Sequence, residues 1–184
     1  MTSWSALDGV PDAIRSRAAR VRLACFDVDG IMTDGGLFYS DSGHEAKQFH
    51  AHDGLGLKLL IDSGVVVAVI TARDTPAVSN RMRDLGIERV FLGERNKRAR
   101  VQRLMDELGI GRDEVAFCGD DLPDLSAMEH VGFAITVPNA HALIKPLAHW
   151  QTSRAGGHGA VREVCDLIIS ARGGMDAVLG RFRA

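Results

Sequence analysis

Residues 24–35 read ACFDVDGIMTDG, and they place the carboxylates of Asp27 and Asp29 at the point where an apolar run ends. The run over residues 21–26 has the length and apolar content of a buried strand, and the glycines after it give the chain the backbone freedom that a turn requires. In a parallel α/β sheet, a loop of this kind lies at the carboxyl ends of the strands, where ligands bind. The sequence therefore predicts a site built around Asp27.

Apolar runs alternate with helical periodicity along the rest of the chain. Predicted strands cover residues 21–26, 65–70, 88–92, 114–118 and 131–135. Predicted helices cover residues 53–63, with Asp53 as the capping residue, 75–85, 96–108, a short segment ending near 129, a segment from about 139, and 161–169. Two β-prone runs around DSGH at 41–44 predict a hairpin between residues 36 and 50. This order predicts a doubly wound, Rossmann-like parallel sheet with a β-hairpin insertion.

The composition is that of an ordinary soluble globular protein, with 46% hydrophobic and 25% charged residues in a chain of 184. The net charge of −2 gives no broad basic surface, so no nucleic-acid partner is predicted. No apolar stretch reaches the roughly 18 residues of a membrane span, and the first twenty residues lack the apolar core of a signal peptide. We therefore expect no membrane partner and a cytoplasmic location. The three cysteines form no CxxC pair and are predicted to be small core residues.

Polar side chains follow successive predicted strands, where they would meet at one edge of the sheet. They are Asp27 and Asp29 after the first strand, Thr71 after the second, Lys97 after the third, and Asp120, Asp121 and Asp124 after the fourth. Carboxylates brought together without a cation would repel one another, whereas Mg²⁺ prefers hard oxygen ligands and keeps waters for exchange with substrate. A hydroxyl, an ammonium and loop amides are donors suited to phosphoryl oxygens. The sequence therefore predicts a Mg²⁺ site beside a phosphate site.

Four sequence motifs carry a family resemblance. In order, DVDG (27–30), ITAR (70–73), Lys97 and GDDLPD (119–124) resemble the four motifs of the haloacid-dehalogenase superfamily of phosphatases. Together with DGLG (53–56) and GGHGAVRE (156–163), they resemble the 3-deoxy-D-manno-octulosonate 8-phosphate (Kdo8P) phosphatase group over about residues 20–172. The resemblance implies a Mg²⁺-dependent hydrolase that acts on a sugar-acid phosphate in the synthesis of a lipopolysaccharide precursor.

The resemblance also implies roles for the two acidic loops. Asp27 would attack phosphorus and form an aspartyl-phosphate, since a carboxylate is already ionised at neutral pH and needs no activating base. Asp29 would protonate the leaving sugar oxygen and then activate the water that hydrolyses the acyl phosphate. Asp27, the backbone carbonyl of Asp29 and Asp120 would hold Mg²⁺.

Further residues of the four motifs are predicted to support the phosphoryl group. Thr71 and Lys97 would offset the repulsion between Asp27 and the substrate dianion. Asp121 and Asp124 leave an alternative open: one of them supports the metal through water or orients Lys97, and Asp124 is slightly favoured.

The spacing between the motifs leaves no room for a cap domain over the site. We divide the chain into an N-terminal surface segment (1–20), a phosphatase domain (21–172) and a C-terminal tail (173–184). The resemblance implies a homotetramer in which neighbouring subunits cover the site, with the hairpin at 36–50 and the glycine-rich segment at 153–163 as parts of the enclosure. Arg73 is a candidate contact for the substrate carboxylate or phosphate, and Arg154 and Arg162 are candidate contacts for the carboxylate.

Two departures from the family pattern leave the substrate open. Ala72 stands where many members carry glycine, and the sequence after Gly93 is rich in arginine. One alternative is a phosphatase for a nine-carbon sugar-acid phosphate, 2-keto-3-deoxy-D-glycero-D-galacto-nononate (KDN) 9-phosphate. Another is a noncatalytic assembly module, like the phosphatase-like domains attached to CMP-sialate synthetases. The complete set of acidic residues and Lys97 argues against the second alternative.

Overall fold

A six-stranded parallel sheet forms the centre of the fold in the computed structural model, which describes residues 5–183. The strands are β1 (Leu23–Phe26), β2 (Phe38–Tyr39), β3 (Glu45–Ala46), β4 (Val66–Ile70), β5 (Arg89–Phe91), β6 (Val115–Cys118), β7 (Phe133–Thr136) and β8 (Trp150–Gln151). The helices are α1 (Asp12–Arg20), α2 (Ala51–Asp62), α3 (Pro76–Leu85), α4 (Lys97–Leu108), α5 (Leu125–Met128), α6 (Ala160–Ala171) and α7 (Met175–Arg181). Single turns of 3₁₀ helix cover Arg112–Glu114, Leu122–Asp124 and Lys145–Leu147.

The strand order β5-β4-β1-β6-β7-β8 places β1 in the interior of the sheet. Phe26, the last residue of β1, lies opposite Val69 of β4 and Cys118 of β6. The residues that follow these three parallel strands therefore emerge at one edge, beside Asp27. The predicted doubly wound α/β architecture is confirmed, and β2 and β3 form the predicted hairpin.

Side chains of β1 alternate between two hydrophobic layers. Ala24 and Phe26 belong to the core on the side of α1, α2, α3 and α6, whereas Leu23 and Cys25 belong to the core beneath α4 and α5. A strand that is buried on both faces reads as a continuous apolar run, which explains the sequence pattern. Full burial of each large apolar side chain contributes about 1.5–3 kcal/mol, so both layers hold β1 firmly in place.

The segment after β7 differs from the prediction. The helix expected from about residue 139 is wrong: the chain there forms turns, a 3₁₀ turn at Lys145–Leu147 and the short strand β8, which pairs with β7. Pro146 lacks the backbone N–H that a continuing helix needs. The side chain of Asn139 bonds to two other loops.

Asp53 also acts differently from the prediction. The residue before α2 is His50, and Asp53 lies in the first turn, where it accepts the amide of Arg162 at 2.8 Å near the start of α6. Burial raises the pKa of this carboxyl. A Cβ on Gly56 would lie 2.9 Å from the Arg162 side chain, so the glycine lets α2 approach α6 closely. The DGLG motif therefore fastens α2 to α6.

Between β1 and β4 the structure places only the hairpin and α2, and between β4 and α4 only α3 and β5. Within residues 5–183, no helix combines the length and apolar character needed to cross a bilayer.

Candidate active site

The loop after β1 turns tightly around the carbonyl oxygen of Val28. This oxygen accepts the amides of Met32 and Thr33 at 2.9 and 3.0 Å. Gly30 has a φ of +91°, and a Cβ at this position would lie 2.0 Å from a carboxylate oxygen of Asp120. Only glycine fits this backbone conformation and this close approach. The turn thus brings the loop after β1 against the loop after β6.

The loop after β6 is organised by Asp124, which is buried. Its Oδ2 accepts the backbone amides of Asp120 and Asp121 at 2.9 and 3.2 Å, and its Oδ1 accepts the Nζ of Lys97 at 2.6 Å. Asp121 is exposed, and its carboxylate caps the following turn by accepting the amide of Leu122. The two neighbouring acids therefore have different surroundings.

Lys97 is the first residue of α4 and lies between two carboxylates. Its side chain is 2% exposed, and its Nζ lies 2.7 Å from Oδ1 of Asp27 and 2.6 Å from Oδ1 of Asp124. Burial lowers the pKa of Lys97, but the two carboxylates raise it by more, so that the net shift is upward. Lys97 therefore stays an ammonium beside Asp27.

One carboxylate oxygen from each of Asp27, Asp120 and Asp124 lies within 4.8 Å of the other two. A cavity of about 360 Å³ opens beside them. Its wall includes most of the residues predicted from the motifs, namely Asp27, Asp29, Thr71, Arg73, Lys97, Asp120, Asp121 and Asp124. The carboxyl ends of β1, β4 and β6 thus bring this predicted set together.

The acidic side chains of the cavity favour binding of a cation. Burial and then the neighbouring charge of Asp124 raise the pKa of Asp27 to about 7, against the lowering effect of Lys97. Burial and the nearby acids raise the pKa of Asp120 to about 8. Oδ1 of Asp120 is buried and has no hydrogen-bond partner among residues 5–183. An unpaired buried oxygen among like charges fits a hard divalent cation with oxygen ligands.

The hairpin contributes residues that the sequence reasoning did not select. Lys47, just after β3, forms an ion pair with the Asp29 carboxylate and lies 2.9 Å from Oε1 of Glu45. The guanidinium of Arg73 bonds to Oε2 of Glu45 at 2.6 Å and to the hydroxyl of Tyr39 at 2.8 Å. The hydrogen bond from Arg73 and the nearby ammonium of Lys47 lower the pKa of Glu45. Glu45 and Lys47 stand two residues apart at the end of β3, a spacing that in a strand would put both on one face and that could have suggested a shared role.

Asn139 was also missed. Its side-chain amide lines the cavity, donates to the carbonyl of Gly30 at 3.4 Å and accepts the amide of Gly156 at 2.9 Å. The glycine-rich segment therefore packs directly on the loop after β1. Nothing in the local sequence pattern reveals this long-range contact.

Arg154 and Arg162 do not line the acidic cavity of their own chain. They line a separate cavity of about 840 Å³ between the N-terminal segment, α2, β8 and α6. The Nε of Arg162 binds the Asp166 carboxylate at 2.8 Å. Contact of these arginines with a substrate held by a neighbouring subunit stays a prediction.

The chain resembles known proteins in sequence. Residues 89–164 match the family model described as haloacid dehalogenase-like hydrolase. The chain is 40% identical over 168 residues to a 3-deoxy-D-manno-octulosonate 8-phosphate phosphatase of Escherichia coli. This alignment covers 91% of this chain and 89% of the relative.

The fold of the chain also resembles solved structures. A hypothetical protein from Xanthomonas campestris has a TM-score of 0.96 and 48% identity, covering 98% of this chain and 99% of the other. The Moraxella catarrhalis Kdo8P phosphatase in complex with magnesium, phosphate and Kdo has a TM-score of 0.89 and 41% identity. The match covers 92% of this chain and 97% of the Moraxella chain. This chain therefore belongs to the Kdo8P phosphatase family of haloacid dehalogenase-like hydrolases.

Proposed function

We propose that this protein is a Mg²⁺-dependent phosphatase that hydrolyses Kdo8P to Kdo and inorganic phosphate, a step of lipopolysaccharide precursor synthesis. The observation that carries the proposal is the convergence of Asp27, Lys97 and Asp120 on one cavity, in a chain 40% identical to a named Kdo8P phosphatase. The magnesium, phosphate and Kdo bound by the Moraxella relative support the same cofactor and substrate class for this chain.

The carboxylates of Asp27 and Asp120 and the backbone carbonyl of Asp29 would hold Mg²⁺. The unpaired buried oxygen of Asp120 and the raised pKa values of both acids support this assignment. When bound, the ion neutralises these acids and stabilises the charge that develops on the transferring phosphoryl group.

Asp27 is the proposed nucleophile. Its carboxylate oxygen attacks phosphorus, the bond from phosphorus to the sugar oxygen breaks, and the electron pair of that bond leaves with the sugar oxygen. Asp29 supplies a proton to this oxygen, so that the sugar departs as an alcohol. The product on the protein is an aspartyl-phosphate at Asp27.

Hydrolysis of the aspartyl-phosphate completes the cycle. Asp29, now ionised, takes a proton from a water molecule whose oxygen attacks phosphorus. Phosphate leaves, and Asp27 is regenerated as a carboxylate. In both steps the ammonium of Lys97 and the hydroxyl of Thr71 donate to the phosphoryl oxygens.

Asp124 orients Lys97 in this proposal. Both of its oxygens already have partners, one the Lys97 ammonium and the other two backbone amides. A carboxylate with all of these contacts is poorly placed to bind the metal directly, and the exposed Asp121 caps a turn instead.

Neither alternative function is favoured. The curated relative and the Moraxella structure are both named Kdo8P phosphatases, which disfavours KDN 9-phosphate as substrate. A noncatalytic assembly module would have no need for a buried Lys97 held between two acids, an arrangement that costs desolvation energy.

The remaining parts of the proposal concern substrate contacts and assembly. Arg73, at the cavity wall, would bind the substrate carboxylate. A homotetramer covering the site is supported by the exposed apolar side chains of Leu37 and Phe38 on the hairpin. The three buried free thiols support a cytoplasmic location, since thiols stay reduced there.

The test of this function is phosphate release from Kdo8P, KDN 9-phosphate and simpler sugar phosphates, with and without Mg²⁺. We expect Mg²⁺-dependent turnover with a preference for Kdo8P, and complete loss in Asp27→Asn. Activity that survives Asp27→Asn would refute the nucleophile, and preference for KDN 9-phosphate would refute the substrate.

A further inference from the structure

Four side chains of alternating charge form a closed ring at the rim of the acidic cavity. Lys47 pairs with Asp29 and with Glu45, and Glu45 pairs with Arg73 at 2.6 Å. The Nε of Arg73 lies 3.9 Å from Oδ2 of Asp29 and closes the ring. Two of the members, Glu45 and Lys47, come from the hairpin, which is an insertion between β1 and α2 and not part of the sheet.

Lys47 holds the Asp29 carboxylate more directly than any other residue of the ring. Among residues 5–183, no other side chain or backbone amide donates a hydrogen bond to that carboxylate. The Lys47 side chain itself is fully covered, so its ammonium relies on Asp29 and Glu45 in place of water. The direction of the Asp29 carboxylate is therefore set from the hairpin.

The geometry of the hairpin explains how this contact is made. Tyr39 of β2 lies opposite Glu45 of β3, and both contact Arg73. Lys47 comes two residues after Glu45, just past the end of β3, and its Nζ lies 2.9 Å from Oε1 of Glu45. Glu45 bridges Lys47 and Arg73 with its two oxygens, and this bridge limits the movement of both cations.

A long side chain that fixes a reacting carboxylate affects the rate through orientation, since a displacement of about 1 Å can cost roughly 10²-fold. The attraction between Lys47 and Asp29 is strongest when Asp29 carries its negative charge. In the proposed cycle, Asp29 is ionised after the sugar has left and before water attacks. Lys47 therefore acts on the second half of the reaction more than on the first.

We propose that Lys47 is a positioning residue that fixes the ionised Asp29 carboxylate toward the attacking water, so that the aspartyl-phosphate at Asp27 is hydrolysed rapidly. Water loses a proton to Asp29 as its oxygen bonds to phosphorus, and the bond from phosphorus to the Asp27 oxygen breaks. Lys47 exchanges no proton in this step. This inference rests on the proposed function, and it adds a hairpin residue that positions one of the reacting groups.

The experiment is rapid-quench kinetics with Kdo8P and Mg²⁺, in which Kdo and phosphate are measured separately. Kdo reports formation of the aspartyl-phosphate, and phosphate reports its hydrolysis. The variants are Lys47→Met, Lys47→Gln and Lys47→Arg, and the matched control is Lys58→Met on the exposed side of α2. Thermal unfolding and sedimentation of each variant establish that the fold and the assembly are retained.

In Lys47→Met and Lys47→Gln, we expect a burst of about one Kdo per active site, followed by turnover about 10²-fold slower than in the wild type. Phosphate should lag behind Kdo, and the trapped phosphoprotein should account for the difference. Lys47→Arg should restore part of the turnover, and Lys58→Met should match the wild type.

Three results would overturn the inference: unchanged turnover in Lys47→Met and Lys47→Gln, slow turnover without a Kdo burst, or no gain from Lys47→Arg in folded protein. Failure of the proposed function looks different, because the wild type itself would then release neither Kdo nor phosphate.

Discussion

Asp124 and Asp121 stand three residues apart in one loop, and their contacts predict different consequences of the same substitution. Asp124→Asn removes the charge that holds Lys97, whereas Asp121→Asn alters an exposed turn cap. We expect kcat for phosphate release to fall about 10²-fold in the first variant, the upper range for partners that orient catalytic groups, and to change little in the second. Steady-state kinetics at saturating Mg²⁺ checks this, and similar losses in both variants would contradict the assignment of Asp124.

The raised pKa values of Asp27 and Asp120 predict how Mg²⁺ binding depends on pH. In the unfolded chain both acids lose their protons near pH 4, but in the folded protein without a cation they retain them up to about pH 7 and 8. Between these values the folded state binds more protons than the unfolded state, so its stability falls as pH rises. Mg²⁺ binding displaces those protons.

The stabilisation of the folded protein by Mg²⁺ should therefore grow as pH rises from about 6 to about 9. The measurement is the increase in Tm at a fixed Mg²⁺ concentration, recorded across this range. Asp120→Asn is the control, because it removes both the ligand and the titrating group, and its Tm should respond weakly at every pH. A Tm increase that is independent of pH in the wild type would contradict the prediction.

Among the elements, the glycine-rich segment before α6 has a specific structural task. A Cβ on Gly156 would lie 1.7 Å from the carbonyl oxygen of Gly30, in the loop that carries Asp29. Backbone cannot move aside as a flexible side chain can, so Gly156→Ala should displace the loop or the segment. Overpacking of this kind costs about 1–3 kcal/mol or more.

Gly156→Ala should therefore lower Tm by several degrees, at about 2–4 °C per kcal/mol for a chain of this size, and also lower kcat. Gly180→Ala in α7 is the matched control, because no atom lies within 4 Å of its added Cβ. An alanine in an exposed helix should raise stability by about 0.5–1 kcal/mol relative to glycine. Equal Tm values for Gly156→Ala and the wild type would show that the contact is not tight.

The elements that the sequence predicted well are those with strong local signals. The helix before Gly86 begins with Thr75 and Pro76, and the chain at Gly86 takes up a left-handed conformation, as at Gly109 after α4. Strand β8 has only two residues and gives no periodic pattern, so it was missed. The helix wrongly expected from residue 139 followed a weak pattern that Pro146 interrupts.

Some residues of the site could likewise be predicted from local sequence signals, and others could not. Asp27, Thr71 and Asp120 each follow a buried strand, and parallel strands bring their ends together, so their convergence could be predicted. The contact of Lys47 with Asp29 depends on how the hairpin packs beside the loop after β1. Similarly, the contact of Asn139 with Gly30 joins residues more than a hundred positions apart. No local pattern encodes such distances, because tertiary packing determines them.

For the whole molecule, the hairpin predicts self-association. Phe38 is 56% exposed and pairs with Ala46 on the hairpin face opposite to Tyr39 and Glu45, which contact Arg73. An exposed aromatic side chain next to Leu37, also exposed, is the kind of apolar surface that subunits bury.

If the wild type forms the proposed tetramer, Phe38→Asp should shift it toward smaller species in sedimentation velocity, because burying the new charge in an interface is costly. Activity on Kdo8P should fall with the loss of the tetramer, since neighbouring subunits are proposed to cover the site. Leu143→Asp is the matched control: Leu143 is 63% exposed and lies outside the hairpin, so this variant should keep the assembly and its activity. A wild-type protein that sediments as a fully active monomer would refute the tetramer and the role of the hairpin in enclosing the site.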